Sequence, residues 1–225
     1  MFKEIKNLAA LIIISAIFIL SNSCAENKNL NILTIGDSNG AAQNGWVYQL
    51  KHIRSNDSII NFSIGGNTIG FNNLDKDTLN TLKNVSIYLS VAEDMAERID
   101  KIIVVLGTND CKAVFDSLQD VVVENLDSLV HLISSYNYKN KKPRIYLSTP
   151  PPAAVDSLLI PKYYGIRKRL NYLIPYYENI ARKYNCTYID IYNPLLTGFD
   201  TLNLDGIHLN DVGYIEMAKI IDASL

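Results

Sequence analysis

Three residue types that together could perform nucleophilic acyl transfer stand in glycine-containing segments of the chain. Ser38 lies in the segment Gly36–Gly40, where a hydroxyl can be presented without crowding from neighbouring side chains. A serine hydroxyl is a weak nucleophile and needs a base that accepts a proton near neutral pH, most often histidine. Of the three histidines, only His208 has a carboxylate three residues earlier in a glycine-containing turn, Asp205. This spacing predicts that Asp205 orients the His208 ring and stabilises its charged form.

The other two histidines lack such a partner. His52 follows a short amphipathic stretch and is predicted to lie on the surface. His131 falls within a predicted helix, where a structural or exposed role is the ordinary one. His208 is therefore the candidate general base.

An acyl-transfer site also needs hydrogen-bond donors for the negative charge that develops on the carbonyl oxygen. Backbone amides in glycine-rich turns can approach a substrate closely, and Gly66 stands in such a turn. The side-chain amide of Asn109, in the segment Gly107–Asp110, offers a further donor. Gly66 and Asn109 are the candidate oxyanion donors.

The elements that must position these residues can be predicted from the hydrophobic pattern. Short apolar runs predict five β-strands, over residues 31–35, 58–62, 102–106, 144–148 and 187–191. Apolar residues at helical spacing predict helices over residues 74–98, 121–136, 166–184 and 210–223. Pro175 is expected to kink or break the third helix, and Asn210 or Asp211 to cap the last. Strands that alternate with helices predict an α/β fold with a parallel sheet covered on both faces.

The candidate residues follow the predicted strands or precede the last helix. In open parallel sheets, sites lie beyond the carboxyl ends of the strands. The four polar segments are therefore expected to converge on one rim; they are Gly36–Gly40, Asn61–Asn67, Gly107–Asp110 and Asp205–Asn210. Each segment alone is typical of an ordinary turn, and only their joint occurrence indicates a site.

Several other functions lack support in the sequence. Glycine-rich turns can cradle a phosphate, but the chain has neither G-x-G-x-x-G nor P-loop spacing. No C-x-x-C or H-E-x-x-H spacing is present, so no metal site and no organic cofactor are predicted. Cys111 and Cys186 fall near opposite ends of the predicted sheet, which makes a disulfide between them doubtful.

The charge of the chain indicates no nucleic-acid partner. The formal net charge is -2, and no long basic run is present. The densest basic stretches, residues 139–144 and 162–169, are interpreted as solvated faces.

The first residues are predicted to be a targeting signal rather than part of the folded domain. Residues 1–23 are predicted to be a lipoprotein signal peptide, because the nearly apolar run 8–20 is short for a bilayer span and ends before Ser23-Cys24. Cys24 would then carry a lipid that anchors the protein to a bacterial envelope membrane. The alternatives are an ordinary cleaved signal, which would leave the protein secreted, and an uncleaved short anchor. Residues 24–30 form the anchor and linker, and residues 31–225 a single domain.

The four segments together resemble the sequence blocks of the SGNH/GDSL hydrolase family. Gly36–Ser38 corresponds to the block that carries the nucleophile. Residues 61–68 resemble the thioesterase/lysophospholipase form of the second block, in which the oxyanion glycine falls most naturally on Gly66, with Gly65 as the competing choice. Gly107–Asp110 completes the third block.

The resemblance extends over residues 31–225 and reaches the C-terminal block as Asp205 and His208. Asn39 departs from the pattern, which has leucine there; this difference is expected to concern packing and subgroup. The resemblance implies a three-layer α/β/α sandwich, a flavodoxin-like SGNH hydrolase fold with about five parallel strands.

The family mechanism implied for this chain is hydrolysis of an ester through an acyl-enzyme on Ser38. His208 takes the serine proton and later protonates the leaving alcohol. The Ser38 N–H, the Gly66 N–H and the Asn109 side-chain amide hold the tetrahedral oxyanion. The partner is therefore a small-molecule or glycan ester.

Family membership does not name the substrate, because relatives deacetylate glycans, cleave lysophospholipids or thioesters, or transfer acyl groups. Carbohydrate O-acetyl esters are favoured, since envelope lipoproteins often handle extracellular polymers. Eight of the 14 tyrosines lie in residues 163–192 and could stack on sugar rings, although helix packing is the preferred interpretation. Trp46 could be core or pocket wall, and Pro150–Pro152 could shape an acyl pocket or simply end a strand.

Three alternatives stay open at this stage. The first is a lysophospholipase or acyl-thioesterase, and the second is an acyltransferase. The third, of a different class, is a non-catalytic glycan-binding lipoprotein on a hydrolase scaffold.

Overall fold

Five parallel strands form one sheet at the centre of the domain. The computed structural model describes residues 29–225. The strands are β1 (Asn31–Gly36), β2 (Ser58–Ser63), β3 (Lys101–Val105), β4 (Arg144–Ser148) and β5 (Thr187–Ile189). Their order across the sheet is β2-β1-β3-β4-β5, and every neighbouring pair is parallel.

The central strands are buried on both faces, which explains why they are continuous apolar runs rather than alternating ones. In β1, Leu33 pairs with Ile60 of β2 on one side and with Ile102 of β3 on the other. Leu33 and Ile102 are fully buried. This arrangement holds the carboxyl ends of β1, β2 and β3 side by side at one edge.

Within residues 29–225, eight α-helices surround the sheet. They are α1 (Ser38–Ala41), α2 (Trp46–Ile53), α3 (Thr81–Met95), α4 (Gln119–Ser135), α5 (Ile166–Lys183), α6 (Tyr192–Leu196), α7 (Phe199–Leu202) and α8 (Asp211–Ser224). Helix α2 packs on α8, whereas α4 packs on both α3 and α5. The two groups cover opposite faces of the sheet, so the predicted three-layer α/β/α sandwich is confirmed.

The largest difference from the predicted elements lies before α3. The pattern predicts a helix from residue 74, but α3 begins at Thr81 because Asn80 caps it by accepting a hydrogen bond from Lys83 N–H. Leu74 and Asp75 have φ values of 57°, in the left-handed region that an α-helix excludes. Residues 74–80 are therefore loop and short 3₁₀ turns.

Pro175 does not break its helix, so that part of the prediction is wrong. Helix α5 continues through it, and Pro175 lies on the exposed side. Asn171, whose carbonyl loses its helical partner four residues later, is exposed as well and is open to water. The predicted cap of α8 is confirmed, since Asn210 accepts a hydrogen bond from Gly213 N–H.

The fifth strand is shorter than predicted and ends at Ile189, and α1, α2, α6 and α7 are helices that the pattern did not predict. Trp46, at the start of α2, is fully buried and belongs to the core rather than to a pocket wall.

The predicted lipoprotein signal, including Cys24, lies outside the described residues. Within residues 29–225 no helix is long and apolar enough to cross a membrane. Cys111 and Cys186 are both free thiols, as expected from their positions.

Candidate active site

Ser38 is the first residue of helix α1, directly after β1. Asp37 precedes it as the N-cap, and its carboxylate accepts a hydrogen bond from Asn39 N–H at 2.9 Å. Because an N–H in the first helical turn has no acceptor within the helix, the Ser38 N–H stays free for another acceptor. Burial raises the pKa of the Asp37 carboxyl, although the hydrogen bond from Asn39 N–H lowers it.

The Ser38 hydroxyl meets the ring of His208. The distance from Ser38 Oγ to His208 Nε2 is 2.9 Å. On the other side of the ring, His208 Nδ1 lies 2.8 Å from Asp205 Oδ2. The structure thus brings together Ser38, His208 and Asp205 in the order that general-base activation of a serine requires.

Asp205 organises the turn that carries His208 as well as the ring itself. Its Oδ1 accepts hydrogen bonds from Ile207 N–H at 3.0 Å and His208 N–H at 2.8 Å. Partial burial raises the pKa of the Asp205 carboxyl, but these bonds and the contact with the His208 ring outweigh it, so the pKa is lowered. One carboxylate therefore caps its own turn and fixes the ring.

The loop after β4 packs against the turn that carries Asp205 and His208. Ala154 N–H donates to Gly206 O at 2.8 Å, and Pro150–Pro152, earlier in the same loop, are buried. Gly206 has a φ of 85°, and a Cβ there would lie 2.6 Å from Leu159 Cδ2 and 2.9 Å from Ala154 Cβ. The turn needs glycine both for its backbone conformation and for the close approach of this loop.

Asn39 connects the serine loop to the histidine loop. It is fully buried, and its Oδ1 accepts a hydrogen bond from Leu209 N–H at 3.3 Å. The expectation that this position concerns only packing is incomplete, because Asn39 helps to bring the residue after His208 to Ser38.

Gly66 lies in a turn that follows β2. Asn67 N–H donates to Ile64 O at 3.0 Å, and Gly66 at the third position has a φ of 86°, as a type II turn requires. Within residues 29–225, no backbone acceptor is present for the N–H of Gly66 or of Gly65. The carbonyl of Gly66 is held by Asn73 Nδ2 at 2.6 Å.

Asn109, after β3, lies against this turn. Its Nδ2 donates to Asn67 O at 3.0 Å, and the side chain is 4% exposed. Asn67 in turn donates from Nδ2 to Gly36 O at 3.2 Å, next to the serine loop. The two amides join the ends of β1, β2 and β3, and the second hydrogen of the Asn109 amide is available to a substrate oxygen.

The carboxylate of Asp110 binds the backbone of the loop that follows β2. Both of its carboxylate oxygens lie 3.0 Å from Ile69 N. Burial raises the pKa of Asp110 to about 7, although bonds from backbone N–H groups, first that of Ile69, lower it. Sequence reasoning missed Asp110 and Asn67 as supporting residues; both stand within the quoted polar segments, and only their buried partners distinguish them from turn residues.

The remaining candidates lie away from this cluster. His52 and His131 are exposed, as predicted. Of the tyrosines, Tyr177 is fully buried and donates to Leu106 O, and Tyr172 lies on the exposed side of α5. Helix packing therefore accounts for Tyr177, and Tyr172 belongs to the polar surface of an amphipathic helix. Residues 29–225 contain no group of three or more acidic, cysteine or histidine side chains arranged to hold a metal.

The arrangement can activate a hydroxyl and stabilise an oxyanion beside it. The side chains of His208 and Asp205 are 34% and 56% exposed, so the cluster lies at an open surface. Such a surface admits a large substrate as readily as a small one.

The chain matches known proteins over most of its length. Residues 33–214 match the model of the GDSL-like Lipase/Acylhydrolase family. An acetylxylan esterase of Xylanibacter ruminicola is 27% identical over 147 residues, which are 58% of this chain and 29% of that esterase. The chain therefore matches less than a third of the length of that relative.

Two solved structures share the fold. A carbohydrate acetylesterase family member from Sinorhizobium meliloti superposes with a TM-score of 0.69 at 20% identity, over 86% of this chain and 96% of that one. The aryl esterase of M. smegmatis superposes with a TM-score of 0.68 at 18% identity, over 87% of this chain and all of that one.

The Asp205–His208 turn offers a test with a matched control. Gly206→Ala is expected to destabilise the domain by about 2–4 kcal/mol, because left-handed strain adds to the clash with Leu159 and Ala154. Gly198 has a φ of 84° but nothing within 4 Å of an added Cβ, so Gly198→Ala should cost only about 1 kcal/mol. Urea denaturation measures both. Equal losses would show that the close approach of the loop after β4 does not constrain the turn.

Proposed function

The chain belongs to the GDSL-like lipase/acylhydrolase family of ester hydrolases, and from that premise we propose that it is a serine-dependent carboxylic ester hydrolase acting on carbohydrate O-acetyl esters. The observation that carries the proposal is the contact of Ser38 Oγ with His208 Nε2 at 2.9 Å, with Asp205 on the other ring nitrogen.

In the first half of the proposed reaction, Ser38 Oγ attacks the ester carbonyl while His208 Nε2 accepts its proton. The negative charge on the carbonyl oxygen is held by the Ser38 N–H, the Gly66 N–H and Asn109 Nδ2. Asp205 keeps the proton on Nδ1 and stabilises the charged ring. When the tetrahedral intermediate collapses, His208 gives its proton to the departing alcohol.

In the second half, water takes the place of the alcohol. His208 accepts a proton from the water, which attacks the acyl-enzyme on Ser38. The same oxyanion donors act again, and collapse returns the proton to Ser38 Oγ. The two half-reactions need no group other than those of the chain and water.

Two observations support a carbohydrate ester as the substrate. The acetylxylan esterase and the carbohydrate acetylesterase family member are both named for acetyl esters of carbohydrates. The exposure of Asp205 and His208 leaves the candidate site accessible to a polymer. Gly66 rather than Gly65 is proposed as the oxyanion glycine, because it lies against Asn73 and Leu79 whereas Gly65 faces open space.

The nucleophile is tested by hydrolysis of p-nitrophenyl acetate. Ser38→Ala removes one half-exposed oxygen, so the fold should persist while kcat/KM falls by about a thousandfold or more. His208→Ala should behave similarly, and Asp205→Ala should lose less because its role is orientation. Ser55→Ala is the matched control, since Ser55 is exposed on the loop before β2. Wild-type turnover in Ser38→Ala would refute the assigned nucleophile.

The acyl group is tested with a chain-length series of p-nitrophenyl esters together with acetylated xylo-oligosaccharides. We expect acetyl to be preferred over octanoyl and acetate to be released from the oligosaccharides. Activity that rises toward octanoyl would favour a lysophospholipase or acyl-thioesterase instead. Appearance of acetylated sugar when an acceptor sugar is added would identify an acyltransferase.

We also propose that Cys24 carries a lipid anchor at the bacterial envelope. Strand β1 begins at Asn31, and Ser38 follows its other end. An anchor near the beginning of β1 would therefore leave the candidate site facing away from the membrane.

The anchor is tested by expressing the whole chain in a bacterium with labelled palmitate. The label should be incorporated and the protein should partition into detergent, and both should be lost in Cys24→Ser but kept in Cys186→Ser. Release of unlabelled protein to the medium would instead establish an ordinary cleaved signal.

A further inference from the structure

A cavity of about 450 Å³ opens beside the loop that carries Gly66. Its walls include two lysines, an aromatic ring, two aliphatic side chains and polar side chains, among them Lys112, Lys162, Phe115, Leu74, Val114 and Asn73. We call it the lysine cavity. None of these residues has a part in the proposed acyl transfer.

Two residues of the lysine cavity, Asn73 and Lys112, are hydrogen-bonded to the proposed oxyanion residues. Asn73, which lines it, donates to Gly66 O at 2.6 Å. Lys112 stands three residues after Asn109, and its N–H donates to Asn109 O at 3.3 Å. A group bound in the lysine cavity would therefore lie next to the reacting ester.

Lys112 is a buried cation without a counter-ion. The residue is 8% exposed, and its Nζ donates to the neutral Asn73 Oδ1 at 3.3 Å. Among residues 29–225, no carboxylate lies within 4.0 Å of this ammonium group. Burial lowers the pKa of Lys112 and the charge of Lys162 lowers it further, while the carboxylates of Asp110 and Asp37, which are not in contact with it, raise it. Because a buried charge is costly unless it is paired, the missing partner points to an anion from outside the chain.

Lys162 adds a second positive charge to the same space. Its Nζ lies 5.0 Å from the centre of the Tyr163 ring, and Lys112 Nζ lies 5.9 Å from the same centre. Among the described residues, Asp75 supplies the one carboxylate of the cavity wall; it is exposed and forms no ion pair with either lysine. The described part of the cavity therefore carries a net positive charge.

An aromatic surface lies beside the two cations. Phe115 is half-buried and stacks on Phe71, with ring centres 4.4 Å apart. Apolar ring faces pack against the C–H faces of a sugar, while ammonium groups donate hydrogen bonds to a carboxylate. The combination fits a sugar that carries an acidic group better than a neutral sugar or a fatty chain.

The geometry points to the lysine cavity as a subsite for the carboxylate of an O-acetylated hexuronate, with Lys112 and Lys162 as its ligands. This inference rests on the proposed function for the ester and adds an acidic glycan as its substrate class. The same cations could hold a sulfate ester, so the test includes that anion.

The first experiment measures binding without catalysis. Ser38→Ala is titrated by NMR with methyl β-D-glucuronide, methyl β-D-glucoside and methyl β-D-glucoside 6-sulfate. We expect the glucuronide to bind about tenfold more tightly than the glucoside, and this preference to weaken with salt. Tighter binding of the sulfate than of the glucuronide would overturn the assignment to a carboxylate.

The second experiment measures the preference in turnover. The substrates are 2-O-acetyl methyl β-D-glucuronide and 2-O-acetyl methyl β-D-glucoside, which differ only at C6. The ratio of their kcat/KM values should be about ten for the wild type and should approach one in Lys112→Met and Lys162→Gln. Lys162→Arg should keep the ratio, and so should Lys142→Gln, which removes the same charge at the opposite edge of the sheet.

The outcomes separate the two proposals. A kcat/KM ratio near one for the wild type overturns the subsite, while turnover itself supports the esterase. If neither ester is hydrolysed, the esterase proposal fails and the binding experiment decides the subsite alone. Because Lys162 is exposed, Lys162→Gln tests the subsite even if Lys112→Met does not fold.

Discussion

The whole candidate site depends on one meeting of two turns that lie 170 residues apart, where Ser38 Oγ contacts His208 Nε2. A single hydrogen bond contributes only about 1 kcal/mol net, so it cannot hold these turns together. The two turns are held in place by contacts of their neighbouring residues. Asn39 binds the backbone next to His208, and the loop after β4 supports Gly206 from below. The catalytic geometry is therefore a consequence of packing rather than its cause.

A second constraint acts across the sheet. Side-chain amides of Asn109 and Asn67 link the ends of β3, β2 and β1 into one chain of hydrogen bonds. Asp110 adds both carboxylate oxygens to the same loop, at the cost of a carboxyl whose pKa is raised to about 7 by burial. Donors that are fixed in this way do not have to reorganise when charge develops on a substrate, which is the condition for oxyanion stabilisation.

Two buried charged residues lie close together in the segment after β3. Asp110 and Lys112 stand two residues apart, both are buried, and they form no ion pair within 4.0 Å. Asp110 has backbone partners and supports the loop, whereas Lys112 has only a neutral amide. This contrast between the two residues is the observation on which the proposed anion subsite rests.

The sequence by itself determined the α/β class, the parallel sheet and the identity of Ser38, Asp205 and His208 as candidates, because hydrophobic periodicity and the three-residue spacing are local signals. It could not predict that α5 continues through Pro175 or that α3 begins at Thr81. Whether a carbonyl group has access to water, and whether a residue adopts a left-handed backbone, depends on the residues that pack around it. The convergence of the four polar segments was predicted, but the particular contacts that hold these segments together had no local signal. Only the tertiary structure revealed that Asn39 reaches the histidine loop and that Lys112 is buried without a counter-ion, because burial and partners are properties of the packed chain.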